Sequence, residues 1–282
     1  MNKATPNHQQ LDYWDGDVGR VWAEEQARLD QWLSAVNAPL FAAADPRPGE
    51  RGLDVGCGAG DTTLALAGLT HPGGSSTGVD ISGPLLARAR ARAVDRTDVS
   101  FVEIDAQTGT FTNDHDLILS RFGVMFFADP VAAFANLRTA TRLGGRLAFA
   151  CWQDAASNPV FKIPMQALSG LLPAAAPVDP YAPGPTALAD DVRTRGLLTE
   201  AGWHTPTTIA HDIDMVVGKG DDPVADAVNL FMRIGPAAAA ARDLGKDARP
   251  VIRERLTAAL TPYTTDRTVR LTGAVWIVTA TN

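Results

Sequence analysis

Three glycines at alternate positions follow a short apolar segment near residue 55. Residues 53–60 read Leu-Asp-Val-Gly-Cys-Gly-Ala-Gly, and a helical pattern runs from Asp61 to Leu69. Glycine lets a backbone approach a ligand without a side-chain clash, and a helix N-terminus offers free N–H groups to polar or anionic groups. The segment therefore predicts a strand, a glycine loop and a helix that bind a nucleoside-type cofactor at the carboxyl edge of a parallel sheet.

Two other cofactor classes fit this loop less well. A dinucleotide site needs a third glycine where this chain has Asp61. A nucleoside triphosphate loop ends in Gly-Lys-Ser or Gly-Lys-Thr, and residues 53–61 contain no lysine. What remains is Asp-x-Gly-x-Gly-x-Gly, beginning at Asp54. A carboxylate beside such a loop suits the ammonium group of an amino-acid cofactor.

Polar residues recur where the next strands are predicted to end. The predicted strands are Ser76–Val79, Val99–Ile104 and Asp116–Ser120. The residues at their ends are Asp80, Asp105-Ala106 and Ser120-Arg121-Phe122. An acidic residue after the second strand can accept hydrogen bonds from both ribose hydroxyls. Any one of these aspartates alone would read as a helix or turn cap, but the whole set indicates a cofactor site.

From about Gly49 to Trp152 the chain resembles the class I S-adenosylmethionine-dependent methyltransferases, and within them the small-molecule group that includes ubiquinone and menaquinone biosynthesis enzymes. The resemblance implies that Asp54 holds the cofactor's ammonium group, directly or through water, that Asp105 faces the adenine amino group and that the Ala106 N–H faces a ring nitrogen. The cofactor-binding residues expected on this basis are Asp54, Gly56, Cys57, Gly58, Gly60, Asp80, Ile81, Asp105, Ala106, Ser120, Arg121 and Trp22.

The alternation of strands and helices predicts an α/β fold, with a Rossmann-like, seven-stranded, mostly parallel sheet, helices on both faces and a helical cap or lid. The resemblance implies that the last strand is antiparallel and inserted beside the sixth. We expect four segments: an N-terminal helical cap (1–48), a cofactor-binding core (49–152), a lid (153–190), and a C-terminal part of the sheet (191–282) with a cap insertion at 221–262.

Individual elements follow from apolar spacing and helix-capping residues. Helices are predicted at 18–36, 84–94 with Ser82 as its cap, 130–141, 159–172 and 191–203, and two or three more lie between 222 and 260. The fifth, sixth and last strands are predicted at 146–152, 207–216 and 269–279. Gly144-Gly145 is expected to end the helix that begins at Pro130.

Aromatic residues cluster where a substrate would enter, after the fourth and fifth strands and in the leading helix. The candidates for substrate contact are Tyr13, Phe122, Met125, Phe126 and Trp152. They indicate a hydrophobic or aromatic small molecule. Each site role has a structural alternative. Trp22 could instead anchor the predicted helix 18–36 to the core, and Phe126 and Phe127 could instead pack beneath the helix at Pro130. Arg121 either contacts an anion or pairs with a carboxylate such as Asp105.

No catalytic base can be assigned from the sequence. His115 precedes the fourth strand at the edge far from the cofactor, His204 and His211 flank the sixth strand, and His8 and His71 lie in the terminus and in a loop. We predict no metal, because Asp116, Asp129 and Asp154 make a poor cluster. Cys57 and Cys151 are interpreted as small apolar fillers.

Composition limits the partners. The 282 residues carry a formal net charge of -7 and no basic run, which argues against an extended nucleic-acid substrate. No stretch approaches the length of a membrane span, so a cytoplasmic location is expected. The expected partner is a small-molecule methyl acceptor, and a homodimer is left open.

Three functions compete. The first is methyl transfer from S-adenosylmethionine, which yields S-adenosylhomocysteine, to a small hydrophobic or aromatic metabolite by in-line displacement, driven by positioning and desolvation. The acceptor atom is oxygen, nitrogen or carbon. The second is a non-methylating cofactor-binding member of the same fold. The third is a nicotinamide-dependent oxidoreductase, against which Asp61 argues.

Overall fold

The computed structural model describes residues 7–172 and 179–282, and within them seven strands and a further two-residue strand form one sheet. In chain order they are β1 (Arg51–Val55), β2 (Ser75–Asp80), β3 (Val99–Glu103), β4 (His115–Arg121), β5 (Thr141–Trp152), β6 (His204–Lys219), β7 (Thr264–Thr265) and β8 (Thr268–Thr281). The spatial order is β3-β2-β1-β4-β5-β8-β6, and β7 pairs with β8. The first five strands are parallel, and β8 is antiparallel to both neighbours.

Twelve α-helices accompany the sheet in the same described ranges. They are α1 (His8–Trp14), α2 (Asp17–Glu24), α3 (Gln26–Leu33), α4 (Asn37–Ala44), α5 (Asp61–Thr70), α6 (Gly83–Arg92), α7 (Pro130–Ala140), α8 (Pro159–Ala167), α9 (Asp191–Glu200), α10 (Pro223–Phe231), α11 (Gly235–Asp243) and α12 (Arg249–Leu260). None of these helices is long and apolar enough to cross a membrane.

The strand order places helices on both faces of the sheet and fixes where a ligand can bind. The chain moves outward from β1 to β2 and β3, and in the opposite direction from β4 to β5. Because such crossovers are right-handed, α5 and α6 lie on one face and α7 on the other. The order reverses between β1 and β4, which opens a crevice at the carboxyl ends of these strands. The predicted fold class is confirmed.

Local sequence signals account for several element boundaries. Ser82 Oγ accepts a hydrogen bond from the Leu85 N–H at 3.4 Å, and Asp129 Oδ1 accepts one from the Ala132 N–H at 3.0 Å. Each therefore caps the first turn of its helix, α6 or α7, as predicted for Ser82. The apolar run of β4 is fully buried, as is usual for a central parallel strand covered on both faces.

The single helix predicted at 18–36 is wrong. The chain bends at Glu25, where ψ is +11°, and this separates α2 from α3; a 3₁₀ turn, Ser34–Val36, follows. Glu25 forms ion pairs with Arg28 and with Arg233. The bend lets α2 pack against α6 while α3 packs against β6. Apolar spacing does not reveal the bend because both halves bury one face.

The prediction that Gly144-Gly145 ends the helix that begins at Pro130 is also wrong. Helix α7 ends at Ala140 and β5 begins directly at Thr141, so Gly144 and Gly145 lie inside the strand. Gly144 has a φ of +79°, and the pairing of β4 with β5 shifts register between His115 and Leu117. An irregular strand start can use two glycines as readily as a helix end can.

The remaining elements are close to the predictions. Strands β6 and β8 are longer than expected, and α8 and α9 are shorter. Three helices lie between 222 and 260, as predicted. The predicted lid contains α8, and its described part from 179 to 190 has no regular secondary structure. The lid residues 173–178 and the cap residues 1–6 lie outside the described residues. The four proposed segments stay a prediction.

Candidate functional site

The glycine loop follows β1 in a left-handed backbone conformation. The φ angles of Gly56, Gly58 and Gly60 are +66°, +53° and +85°. A Cβ added to Gly56 would lie 2.6 Å from the Gly123 Cα, so the loop after β1 and the loop after β4 touch at their backbones. A Cβ at Gly58 would meet nothing within 4 Å. Gly56 is therefore needed for packing, whereas the space beside Gly58 is open to a ligand.

Asp80 ends β2 beside this loop. Its Oδ2 accepts a hydrogen bond from the Gly58 N–H at 2.8 Å, and its Oδ1 accepts one from the Ser82 N–H at 2.9 Å. Burial raises the pKa of Asp80, opposed by the N–H groups of Ser82, Gly58 and Ile81. An ionised carboxylate has about four acceptor positions, so Asp80 keeps capacity for a diol.

Asp105 and Ala106 follow β3 at the same edge of the sheet. Asp105 Oδ1 accepts hydrogen bonds from the Gln107 N–H at 2.9 Å and from Asn7 Nδ2 at 3.3 Å. The latter contact joins the N-terminal segment to the end of β3. The carboxylate therefore has a fixed orientation toward the space between β3 and α1.

Asp54 points away from this space. Its Oδ2 accepts hydrogen bonds of 2.7 Å from the hydroxyls of both Thr62 and Thr63, and the residue is fully buried against α5. Its Oδ1 accepts no hydrogen bond from the described residues. The side chain of Asp54 thus supports the first turn of α5, and its contact with the cofactor's ammonium group, directly or through water, stays a prediction.

The burial of Asp54 predicts an unusual pH dependence of stability. Burial, opposed by the two threonine hydroxyls, raises the pKa of Asp54 from 3.8 to about 6. The folded protein then binds this proton more tightly than the unfolded chain does. The carboxyl group therefore lowers the free energy of unfolding progressively between pH 3.8 and about 6, and by a constant amount above that range.

We expect Asp54→Asn to remove this pH dependence, since asparagine still offers an oxygen to Thr62 and Thr63. The free energy of unfolding of the variant, relative to the native protein, should rise by about 3 kcal/mol between about pH 4 and about pH 7. Urea unfolding at the two pH values measures it. Asp243→Asn, at an exposed position, is the control. Parallel pH profiles for Asp54→Asn and the native protein would contradict the expectation.

Three further predicted cofactor residues support the loop from behind. Ser120 Oγ donates to the Val55 carbonyl at 2.7 Å and accepts from the Gly123 N–H at 3.1 Å, which holds the two loops together. The buried Cys57 thiol packs against Gly78, and burial raises its pKa. Gly60 packs against the Phe101 ring. Their side chains or backbones shape the loop without lining the cavity described below.

Arg121 is a structural partner of a carboxylate, but not of Asp105. Its guanidinium donates to Asp61 Oδ2 at 2.8 Å and to Asn37 Oδ1 at 2.7 Å. The residue that replaces the third glycine of a dinucleotide loop is thus held by an ion pair between α5 and the end of β4. Arg121 still borders the cavity.

Two groups of aromatic rings face the same space. Phe122 stacks on Trp152 with ring centroids 4.3 Å apart and planes 5° apart, and Phe161 meets Trp152 edge-on. In the second group, Trp14 makes edge contacts with Tyr13, Trp22 and Phe126 at 5.1–5.2 Å. Phe122 has a φ of +68°, a strained conformation for a residue with a side chain.

Phe126 and Phe127 have different environments. Phe127 packs edge-on against Phe134 of α7, as the structural alternative proposed. Phe126 turns toward Trp14 instead. Packing against the helix at Pro130 is therefore observed for Phe127, whereas Phe126 packs against Trp14.

The glycine loop, both strand-end aspartates and both aromatic groups border one cavity of about 580 Å³. Of the predicted residues, it is lined by Gly56, Gly58, Asp80, Ile81, Asp105, Ala106, Arg121, Trp22, Tyr13, Phe122, Met125, Phe126 and Trp152. The lining found in the structure but absent from the predicted set includes Asn7, Gln10, Phe161, Gly184, Arg233, Pro236 and Arg242.

Most of the missed residues belong to the cap. Gly184 reaches the cavity because its N–H donates to the Met125 carbonyl at 3.1 Å. Arg233 forms ion pairs with Glu24 and Glu25, which joins the α10–α11 connection to α2 across the cavity. No spacing rule brings these distant segments together. Phe161 could have been found as an aromatic residue of the predicted lid, and it meets Trp152 edge-on.

No histidine borders the cavity among the described residues. His115 Nδ1 lies 3.1 Å from the Ala140 carbonyl at the amino end of β4, far from the crevice, as predicted. His204 and His211 lie on β6. The structure therefore adds no histidine as a candidate base.

Known proteins that are similar to this chain include methyltransferases. Residues 53–149 match the family model described as a methyltransferase domain. Aklanonic acid methyltransferase DauC of Streptomyces sp. (strain C5) is 30% identical over 135 residues, which cover 47% of this chain and 58% of that protein. Residues 53–149 therefore carry a methyltransferase domain. The chain spans about half the length of the curated relatives it matches.

Solved structures share the fold of this methyltransferase domain at low identity. Phosphoethanolamine N-methyltransferase 2 of Haemonchus contortus, solved with phosphomonomethylethanolamine and S-adenosylhomocysteine, superposes with a TM-score of 0.55 at 17% identity, covering 99% of this chain and 60% of that one. The 4+2 cyclase SpnF superposes with a TM-score of 0.51 at 17% identity, covering 87% and 80%.

The residues of the methyltransferase domain fit S-adenosylmethionine, which is its cofactor. Asp80 has acceptor capacity left for two ribose hydroxyls, and the space beside Gly58 is free of protein atoms. Asp105 and Ala106 border the same cavity. The fit is independent of Asp54, whose carboxylate is engaged with α5.

Proposed function

We propose that this protein transfers the methyl group of S-adenosylmethionine to a small hydrophobic or aromatic metabolite. The observation that supports this most directly is the composition of this cavity. Its sheet-edge side carries the glycine loop and the carboxylates of Asp80 and Asp105, and the rest of its wall is mostly apolar, with several aromatic rings and the side chains of Arg121, Arg233 and Arg242. A site of this kind binds a polar nucleoside and an apolar acceptor side by side.

Each part of the lining has a role in the proposal. Gly56, Gly58, Asp80, Ile81, Asp105 and Ala106 hold the nucleoside, and Trp22 covers it. Tyr13, Phe122, Met125, Phe126 and Trp152 contact the methyl acceptor. Arg121 keeps the loop and α5 in place through its ion pair with Asp61.

The bound cofactor supplies a methyl group already activated by a positive sulfonium. The protein then has to align the acceptor and exclude water. Phe122, stacked on the buried Trp152, provides a rigid apolar wall for the acceptor. The ion pairs of Arg233 with Glu24 and Glu25 hold the cap closed over the cavity. No residue is assigned as a general base, so the acceptor atom stays open.

The relatives suggest the kind of acceptor. DauC is named for aklanonic acid, and Haemonchus contortus phosphoethanolamine N-methyltransferase 2 was solved with phosphomonomethylethanolamine. The aromatic lining here favours an acceptor with an apolar ring system over a small phosphorylated amine.

A second candidate is a cofactor-binding protein that does not transfer the methyl group. The likeness to SpnF, which is named as a cyclase, shows that this fold also occurs in a protein named for another reaction. The nicotinamide alternative loses support, because Asp61 is fixed by Arg121 and Asn37 at the place of the third glycine.

Calorimetric titration of the purified protein with S-adenosylmethionine, S-adenosylhomocysteine and NAD tests the proposal. We expect micromolar or tighter binding of both sulfur ligands and none of NAD. A screen of aromatic and quinone-like acceptors with methyl-labelled S-adenosylmethionine should then yield a labelled product. Binding without transfer to any acceptor would favour the second candidate, and binding of NAD alone would refute the proposal.

A further inference from the structure

We propose that Asn7 is a specificity-determining residue that completes the recognition of adenine. Its side-chain carbonyl oxygen accepts one hydrogen of the exocyclic amine of adenine, while Asp105 accepts the other. This inference rests on the proposed function, since it concerns the same cofactor. It adds the N-terminal segment to a site otherwise built from strand ends.

The side chain of Asn7 does not cap helix α1, although its position favours capping. Asn7 occupies the N-cap position of α1, where an asparagine side chain normally accepts a hydrogen bond from the first turn. Here it makes no capping bond, although its backbone carbonyl accepts the usual first helical hydrogen bonds from the Gln10 and Leu11 N–H groups. Its Nδ2 donates to Asp105 Oδ1 at 3.3 Å, 98 residues away.

The partner fixes the orientation of the amide group. An ionised carboxylate only accepts hydrogen bonds, so the NH₂ of Asn7 faces Asp105 and its Oδ1 faces the other way. Asn7 is 4% exposed, and its Oδ1 accepts no hydrogen bond from the described residues. A buried acceptor without a donor is unfavourable, which indicates that a ligand supplies the donor.

A second unpartnered acceptor lies on the same face of α1. Gln10 follows Asn7 by three residues, and its Oε1 is also buried without a donor among the described residues. Both residues border the cavity. Two residues that border the cavity together with Asp105 therefore each have a buried amide oxygen without an N–H donor among the described residues.

Adenine carries the matching groups. Its exocyclic amine has two N–H donors, and the adjacent ring nitrogen accepts a hydrogen bond. Asp105 and Asn7 offer two acceptors for the amine, and the Ala106 N–H offers a donor for the ring nitrogen. A hypoxanthine base has a carbonyl oxygen in place of the amine, which the oxygens of Asp105 and Asn7 would repel.

The N-terminal segment is anchored well enough to position Asn7. Asp15 Oδ1 accepts a hydrogen bond from the Gly83 N–H at 3.0 Å, at the start of α6. Trp14 packs against Trp22 and Phe126. Helix α1 is therefore held at its carboxyl end independently of the contact between Asn7 and Asp105.

Calorimetry with two ligands tests the inference. S-adenosylhomocysteine and S-inosylhomocysteine differ only at this edge of the base, where inosine has a carbonyl oxygen in place of the amine and an N–H in place of the ring-nitrogen acceptor. We expect Asn7→Ala to weaken binding of S-adenosylhomocysteine by about tenfold and to leave S-inosylhomocysteine binding unchanged or stronger. Gln9→Ala, at an exposed position on the same helix, should bind both ligands like the native protein.

The outcomes separate this inference from the proposed function. Equal weakening of both ligands by Asn7→Ala, or no change in either, would overturn the role of Asn7 while leaving the cofactor intact. Failure of the native protein to bind S-adenosylhomocysteine would overturn both. If Asn7→Ala lowers the melting temperature more than Gln9→Ala does, Asn7→Leu, which fills a similar volume without an acceptor, decides by the same ligand comparison.

Discussion

Replacing Asp80 by asparagine is expected to weaken binding of S-adenosylhomocysteine by about 10- to 100-fold, because a buried hydrogen-bonded carboxylate contributes roughly 1.5–3 kcal/mol per charged hydrogen bond. The carboxylate accepts from Gly58 and Ser82 and keeps capacity for a ribose diol. An asparagine has one acceptor oxygen in place of two, and its NH₂ would face a backbone N–H. The variant thus loses ligand contacts and part of the support of the glycine loop.

Calorimetry measures this effect, and Glu103→Gln is the matched control. Glu103 pairs with Asp80 in the register of β2 and β3, is exposed and does not border the cavity. The substitution Glu103→Gln removes the same charge from the same edge of the sheet as Asp80→Asn does. Native-like binding by Asp80→Asn, or an equal loss in Glu103→Gln, would contradict the role assigned to Asp80.

The second large effect is expected from Gly58→Val. Its backbone lies in the left-handed region with a φ of +53°, and the direction of its missing Cβ is empty of protein atoms. The Cβ of a valine would therefore meet no protein atom, and its methyl groups would extend into the ligand space beside Asp80. We expect binding of S-adenosylhomocysteine to fall more than 100-fold, beyond calorimetric detection.

Gly49→Val separates this steric effect from backbone strain. Gly49 also has a positive φ, +85°, and open space around its missing Cβ, but it lies before β1 and outside the cavity. Both substitutions place a side chain in the left-handed region at a cost of about 1–2 kcal/mol or more. Both should lower the melting temperature to a similar extent, and Gly49→Val alone should bind ligand normally. Equal binding by the two variants would refute the loop model.

The polar residues at the strand ends could be predicted from the sequence, because their positions depend on short segments of the chain. A glycine loop, and an aspartate one or two residues past an apolar strand, need only the direction of the chain to place them at one edge of a parallel sheet. Asp80 and Asp105 accordingly border the same cavity. Asp54 belongs to the same motif, yet hydrogen bonds from two threonines of α5 hold its carboxylate against that helix. A side chain's direction depends on neighbours that a motif does not include.

The sequence by itself determined the fold class and brought the glycine loop, Asp80 and Asp105 to one edge of the sheet, because hydrophobic periodicity, glycine conformations and right-handed crossovers are rules of local geometry. The tertiary structure decided which residues close the cavity. Asn7 meets Asp105, Arg233 meets Glu24, and Gly184 meets Met125 only after distant segments fold over the sheet. These contacts depend on the packing of whole helices and loops, and no spacing along the chain records that packing.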